Sequence, residues 1–490
     1  MQSSFITILL FTLLLQWVTA APTKIQRRTF KVDRIRNENF RGHNGPKELL
    51  KAYRKYSMPI PHGLLDAMRA QGAAKLSVDD TKTKMRGGGG GGGGGFGPQG
   101  GPPGGAQAGP QGGCPCGCGG GAGNVNEGVD GVGTVTDTEP QQGQQPETQP
   151  ESQQDSEPES AAIGSVTATP EAGDIEYLSP VKIGGQTLNL DFDTGSSDLW
   201  VFNNQLSSQD SQGHSLFDPN QSKTFRMIDG ASFSITYGDE SGAEGNVGTD
   251  VVDIGGVIVE NQAVELATDV SSSFVEDIEN DGLLGLAFSK LNTVQPQQQK
   301  TFFDNVLPTL AEPLFTADLR PGEVGAYEFG RIDNSKFVGE MAWIPVNTTN
   351  GFWQFSTSGF AVGDEPTLTG LPASQAIADT GTTLMIVSKE VSDAYYSQIS
   401  GARNDDDIGG VTIPCDASLP DLFVDVGGVY VARIKGEDIN FAQVTDDTCF
   451  GGIQPSTSPE DLQIWGDVFF KSQFVAFNGG NNSLGMAQHV

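Results

Sequence analysis

Histidine is nearly absent from this chain, and cysteine and basic residues are scarce. Only four of its 490 residues are histidine, and just His214 and His489 lie beyond residue 163. No serine or cysteine stands in a recognisable nucleophile context, and Asp253 and Asp281 lack partners at metal-ligand spacing. Serine, cysteine and metal-assisted chemistries are therefore poor fits, and neither metal nor cofactor is expected. Lys and Arg together number 29 against 61 Asp and Glu, a net charge of -32, and a secretory signal at the start argues against a nucleic-acid partner for the basic residues. Long apolar runs are missing after the first twenty residues. Phe5 to Val18 is uncharged and apolar, with Thr19, Ala20 and Ala21 following. This is shorter than the roughly twenty residues of a spanning helix. It reads as a cleaved secretory signal over residues 1–20, although the usual positive start is missing. The polar stretch 478–490 lacks a lipid-anchor tail. The expectation is a secreted, extracellular monomer with no membrane partner.

Five cysteines fall into two groups. Cys415 and Cys449 are an even pair in the acidic part of the chain and read as one disulfide, worth about 3–4 kcal/mol by loop entropy. Cys114, Cys116 and Cys118 cluster in a spacing that matches no ordinary zinc site. Either a soft metal or a crosslink between chains suits them.

Charge is unevenly distributed. Sixteen of the 29 basic residues lie between Lys24 and Arg86, beside six acids, whereas the chain from Glu171 onward carries thirteen bases against forty-six acids. A basic head that binds an acidic body through complementary charge is the sharper reading. Within the head, Leu49, Leu50 and Tyr53 recur at helical spacing after Asn44-Gly45-Pro46, a start signal. From Gly87 the composition turns to Gly, Pro and Gln, then to Gln, Glu and Pro, which cannot bury enough apolar surface to order itself. Beyond about Ile163, short apolar runs alternate with Gly, Asp, Asn and Ser, as in Val251-Val252-Asp253-Ile254. Such texture predicts a mostly-β body, with short helices over Phe302 to Leu310 and Lys389 to Ile399.

The body also repeats itself. Asp193-Thr194-Gly195-Ser196 follows an apolar strand, with Leu283-Leu284-Gly285-Leu286 further on. Ile377-Ala378-Asp379-Thr380-Gly381-Thr382 and Ile464-Trp465-Gly466-Asp467 repeat that order at similar spacing. Two such loops in duplicated lobes can face each other. Neighbouring carboxylates resist joint ionisation, so they share a proton and their pKa values separate. One then takes a proton from water while the other polarises an amide carbonyl.

On these motifs, and on the stretches DFDTGSSDLWVF, SITYGDESGAEGNVGTD, NDGLLGLAFSKLNTVQPQ, IADTGTTL and IWGDVFFKSQFVAF, the chain from about Ser165 resembles the fungal secreted branch of the pepsin family, the penicillopepsin and aspergillopepsin group. The resemblance implies an all-β, bilobal acid-protease fold over 163–490, with lobes of about 163–345 and 346–490. It implies catalysis by Asp193 and Asp379, with Ser196 and Thr382 bonding the outer carboxylate oxygens. Tyr237, Gly238 and Asp239 correspond to a β-hairpin flap, Trp200 to the support of the flap tyrosine, and Gly285 and Gly466 to crossings behind the Asp loops. Taken alone, Tyr237 and Trp200 fit ordinary core packing equally well. An acid at Asp239 goes in that branch with acceptance of Lys before the cut, besides large apolar residues. Glu240, where a small residue is usual, either strengthens that preference or only stiffens the flap.

Residues 22–70, within a basic prosegment expected over 21–86, resemble the inhibitory prosegments of the same family, notably in Lys51-Ala52-Tyr53-Arg54-Lys55-Tyr56. Lys55, with Tyr56, is the candidate to pair with both catalytic carboxylates, or else Lys55 lies on an exposed helix face. Residues 87–162 are then a disordered linker, longer than usual in the family and cleavable on maturation. Expected partners are protein and peptide substrates and the prosegment itself, in cis. Asn220, Asn347 and Asn481 open Asn-x-Ser/Thr sequons. A catalytically silent peptide-binding module and a matrix protein built on the Gly/Cys-rich segment are the competing classes.

Overall fold

A computed structural model describes residues 44–70, 161–171, 174–237, 241–364 and 367–490. The candidate signal, the cysteine cluster, nearly all of the linker, and Gly238, Asp239 and Glu240 lie outside the described residues.

Strands dominate beyond residue 163, as the alternating texture predicts. The two Asp-Thr-Gly segments sit in the same local topology. Strand Gln186–Asp193 pairs in parallel with Gly282–Gly285, which runs antiparallel to Leu199–Val201. In the second half, Thr369–Ala378 pairs in parallel with Gln463–Trp465, which runs antiparallel to Met385–Val387. Each half thus threads a short strand between the strand that delivers its Asp and the strand that leaves the loop. Close backbone crossing requires glycine behind both loops. A Cβ on Gly285 would sit 2.5 Å from Cα of Ser197, and one on Gly466 would run into the carbonyl oxygen of Thr382.

Strands from both halves build one six-strand platform, in the order Phe337–Pro345, Ser483–His489, Gln473–Asn478, Leu314–Arg320, Glu323–Phe329 and Gly164–Pro170. The main core runs continuously from this platform into both halves. A second apolar cluster, with Trp200, Phe233, Tyr237 and Phe274, lies under the hairpin of Arg226–Thr236 and Gly242–Ile254. Cys415 and Cys449 are disulfide-bonded, with Cα atoms 4.9 Å apart, and join the ends of strands Gly410–Pro414 and Thr448–Gly451.

The predicted helices are shorter than their sequence spans. Thr301 caps a helix over Phe302–Val306, and Pro308 falls in the 3-10 turn Leu307–Thr309 that follows. Ser388 caps a helix over Lys389–Tyr396. In the head, Asn44 accepts from the Lys47 amide at 3.0 Å and starts α1, Gly45–Lys55. Its buried face carries Leu49, Leu50, Ala52 and Tyr53. A second helix, α2 over His62–Ala70, buries Leu64, Ala67 and Met68.

Candidate active site

Asp193 ends its strand with 1 % exposure, and Asp379 follows its strand with none. Each carboxylate is held first by its own loop. The Gly195 amide donates to Oδ1 of Asp193 at 2.7 Å, and the Gly381 amide to Oδ1 of Asp379 at 3.1 Å. Thr382 Oγ1 donates to Oδ2 of Asp379. The buried Oγ of Ser196 lies close enough to Asp193 for its hydroxyl to help lower that pKa.

The two loops are also tied to each other. Thr194 N–H donates to Oγ1 of Thr380 at 3.2 Å, and Thr380 N–H donates to Oγ1 of Thr194 at 2.9 Å. The same hydroxyls donate onward, Thr194 to the Ala378 carbonyl at 2.9 Å and Thr380 to the Phe192 carbonyl at 2.5 Å. Their appearance at matching positions of the repeat is the signal for a reciprocal clasp.

Across this pair lies the end of α1. Lys55 Nζ is 2.8 Å from Oδ1 of Asp193, and 3.1 and 3.0 Å from the two carboxylate oxygens of Asp379. Tyr56 donates its hydroxyl to Oδ2 of Asp379 at 2.7 Å. The Lys55 side chain is 7 % exposed, so the alternative of an exposed helix face is not what the structure adopts. Apolar docking supports this placement. Tyr53 is buried and donates to the Pro455 carbonyl at 2.5 Å, while Leu64 and Ala67 close on Gly409.

The electrostatics of the pair are divided. Burial pushes Asp193 upward, but the Lys55 ammonium and hydrogen bonds from its neighbours outweigh it and hold Asp193 at about 2. Asp379 is raised, by burial and by the charge of Asp193, despite Lys55. Burial also disfavours the Lys55 ammonium, yet the two carboxylates more than compensate and raise its pKa. One carboxyl is thus biased toward the anion and its neighbour toward holding a proton.

Trp200 and Tyr237 are both buried and meet through a hydrogen bond from the indole to the phenol. The sequons are exposed at Asn220, Asn347 and Asn481. Asn220 Nδ2 donates to Asp218, and the Oδ1 atoms of Asn347 and Asn481 accept from Thr349 and Ser483.

Comparison with known proteins agrees with this geometry. The family model for eukaryotic aspartyl protease matches residues 176–489. The aspartic protease PEP3 of Coccidioides posadasii is 51 % identical over 335 residues, 67 % of this chain and 75 % of that protein. Aspergillopepsin-1 of Aspergillus fumigatus is 49 % identical over 333 residues, and penicillopepsin-2 of Penicillium janthinellum 48 % over 330, each covering 67 % of this chain and 82 % of the relative. Because the matched span contains both Asp-Thr-Gly loops and every strand that positions them, the chain belongs to the eukaryotic aspartyl protease family, as a fungal pepsin-like, aspartic-type endopeptidase.

Proposed function

We propose that this chain is the zymogen of a secreted, acid-active endopeptidase in which Asp193 and Asp379 activate one water against a peptide carbonyl. The observation that carries the reading is the single ammonium of Lys55 lying on both carboxylates at once. A cation there neutralises the pair and occupies the position a substrate carbonyl and water need. After its removal, the ionised carboxylate takes a proton from water, whose oxygen attacks the carbonyl carbon. The other carboxyl gives its proton to the carbonyl oxygen. Collapse of the resulting diol passes a proton to the amide nitrogen and breaks the C–N bond. No covalent enzyme intermediate forms.

The basic segment 21–86 is the inhibitor in cis, and residues 87–162 are the spacer lost on maturation. The signal-like segment 1–20 supports secretion, and no helix among the described residues is long and apolar enough to cross a membrane. Large apolar residues around the cut, with Lys accepted before it through Asp239, are the expected preference, and a monomer the expected state. Peptide cleavage at about pH 3–5, with and without a statine-type inhibitor, tests the reading. Sequencing the amino terminus of the processed form tests the maturation step, and a start near residues 160–172 supports it. Full activity of a folded Asp379→Asn protein would falsify the mechanism.

A further inference from the structure

Behind the Asp193 loop lies a second pair of carboxyls, which the reaction itself does not use. Asp198 is fully buried and Glu265 is 1 % exposed. The backbone of Asp198 closes the loop: its carbonyl accepts from the Gly285 amide at 2.8 Å, where that glycine crosses behind Ser197. Glu265 lies on strand Val257–Val270 as the register partner of Trp200. Asn292 ties the two together. Its Nδ2 is shared among the Ser197 carbonyl at 3.2 Å, Oδ1 of Asp198 at 3.2 Å and Oε1 of Glu265 at 3.1 Å. Thr293 adds its amide at 2.9 Å and its hydroxyl at 2.8 Å, both to Oδ1 of Asp198.

All of these donors serve one oxygen of each carboxyl. Oδ2 of Asp198 and Oε2 of Glu265 are shielded from water and receive none of them, yet the two side chains are hydrogen-bonded to each other. Two bare carboxylates have no proton to place between them, so one of the pair is a carboxylic acid. Glu265 is the acid, because three donors stabilise an anion on Asp198 while Glu265 meets a single shared one. Resting on the protease reading above, we infer that Asp198 and Glu265 are positioning residues: one proton, held by Glu265 and donated to Asp198, keeps the back of the Asp193 loop in place for catalysis.

The pair is well placed for that role. The strand that Asp198 holds through Gly285 continues into Leu286 and Ala287, whose amides donate to the carbonyls of Asp193 at 2.8 Å and Ser196 at 2.9 Å. Trp200, two residues beyond Asp198, carries the bond to Tyr237. The ionisable groups facing the pair are Asp193, from the loop, and the Tyr237 phenol, beside the flap hairpin. Residues 292 and 293 present neutral donors. Burial raises Asp198, against the hydrogen bonds from Thr293 and Glu265. Burial and then the charge of Asp198 raise Glu265 well above its ordinary value. In an opened loop both carboxyls meet water and ionise near their ordinary values, about 4. The closed arrangement is therefore fully favoured below that pH and loses ground as pH rises above it.

The test uses full-length protein processed in acid and a peptide with a Phe-Phe cut. Glu265→Gln puts a permanent N–H where the shared proton lies and can still accept from Asn292. Asp198→Asn donates in the opposite sense, to an ionised Glu265, and Glu265→Leu donates nothing. At pH 4, Glu265→Leu should lose about tenfold in kcat, the scale of one hydrogen bond to a charged group. Its KM should change little, because neither residue touches substrate, and Glu265→Gln should recover most of the loss. After incubation at pH 7 and return to pH 4, the surviving fraction of activity should be about tenfold higher in Glu265→Gln and Asp198→Asn than in the parent. Each fraction is taken against the same protein kept in acid. A Glu265→Leu enzyme with the parent's kcat overturns the inference and leaves the protease reading intact. So do Glu265→Gln and Asp198→Asn enzymes that lose activity at pH 7 as fast as the parent. Failure of the processed parent to cleave the peptide at any acid pH overturns both.

Discussion

The indole Nε1 of Trp200 donates to the hydroxyl of Tyr237 at 2.8 Å, with Phe274 edge-on to both rings. The bond ties Tyr237, which follows strand Arg226–Thr236, to a strand five residues beyond Gly195. Trp200→Phe leaves the buried phenol without its donor, at a cost of about 1–3 kcal/mol. We expect kcat/KM on a peptide to fall about tenfold or more, with a rise in KM and a thermal midpoint lowered by only a few degrees. An unchanged KM would argue that the pair serves packing alone.

Thr382 donates to the same Asp379 oxygen that Tyr56 occupies in the docked chain. A hydrogen bond to the ionised form favours that form, so Thr382→Val should raise the pKa of Asp379 further. The alkaline limb of the kcat/KM profile, which reports the carboxyl that must hold its proton, is expected to move upward in pH, with about a ten- to hundredfold loss at the optimum. Thr382→Ser, which keeps the hydroxyl, should restore both.

Docking of the head should weaken in acid, and the sign follows from Asp193. Its pKa is depressed to about 2 while Lys55 is in place, against an ordinary value of about 3.9. A depressed carboxyl contributes fully above its undocked pKa and loses that contribution as pH falls through the docked one. Asp379 is raised by burial and by Asp193, despite Lys55. Lys55, raised by both carboxylates against burial, stays charged throughout this range. Full-length protein should therefore remain latent at pH 5–7 and open progressively between about pH 4 and 2, as read by limited proteolysis near Ala70. Lys55→Leu should be active on a peptide at pH 5.5 without processing; equal latency in the variant and the parent would refute the latch.

The disulfide closes a loop of sequence separation 34, for which chain entropy predicts about 3–4 kcal/mol. Replacing Cys415 and Cys449 together by alanine should lower the thermal midpoint by about 5–10 °C. Because Phe450, next to Cys449, packs directly against Gly45 of α1, the same variant should also shift head release toward higher pH, measured on the same proteolysis assay.

What was legible in the sequence was what is local or repeated. Asp193 and Asp379 announce themselves because each sits in a short motif after an apolar strand, and because the motif recurs with its glycine partner. The start of α1 is equally local: Asn44, Gly45 and Pro46 carry the cap in three residues. The clasp between Thr194 and Thr380 is less visible, since it depends on two loops 186 positions apart exchanging donors. The carboxyl pair of Asp198 and Glu265 is less visible still. The two belong to different elements and Asn292 to a third, so only the folded chain brings the three together.

The contact of Lys55 with the carboxylate pair has a consequence for kinetics in solution. In the proposed zymogen, blocker and blocked site belong to one chain, so dilution does not relieve the block. The covalent connection between them is residues 71–160. A single nick anywhere in it changes the order of the reaction. Rebinding then becomes bimolecular, and silence that was independent of enzyme concentration starts to fade as the sample is thinned.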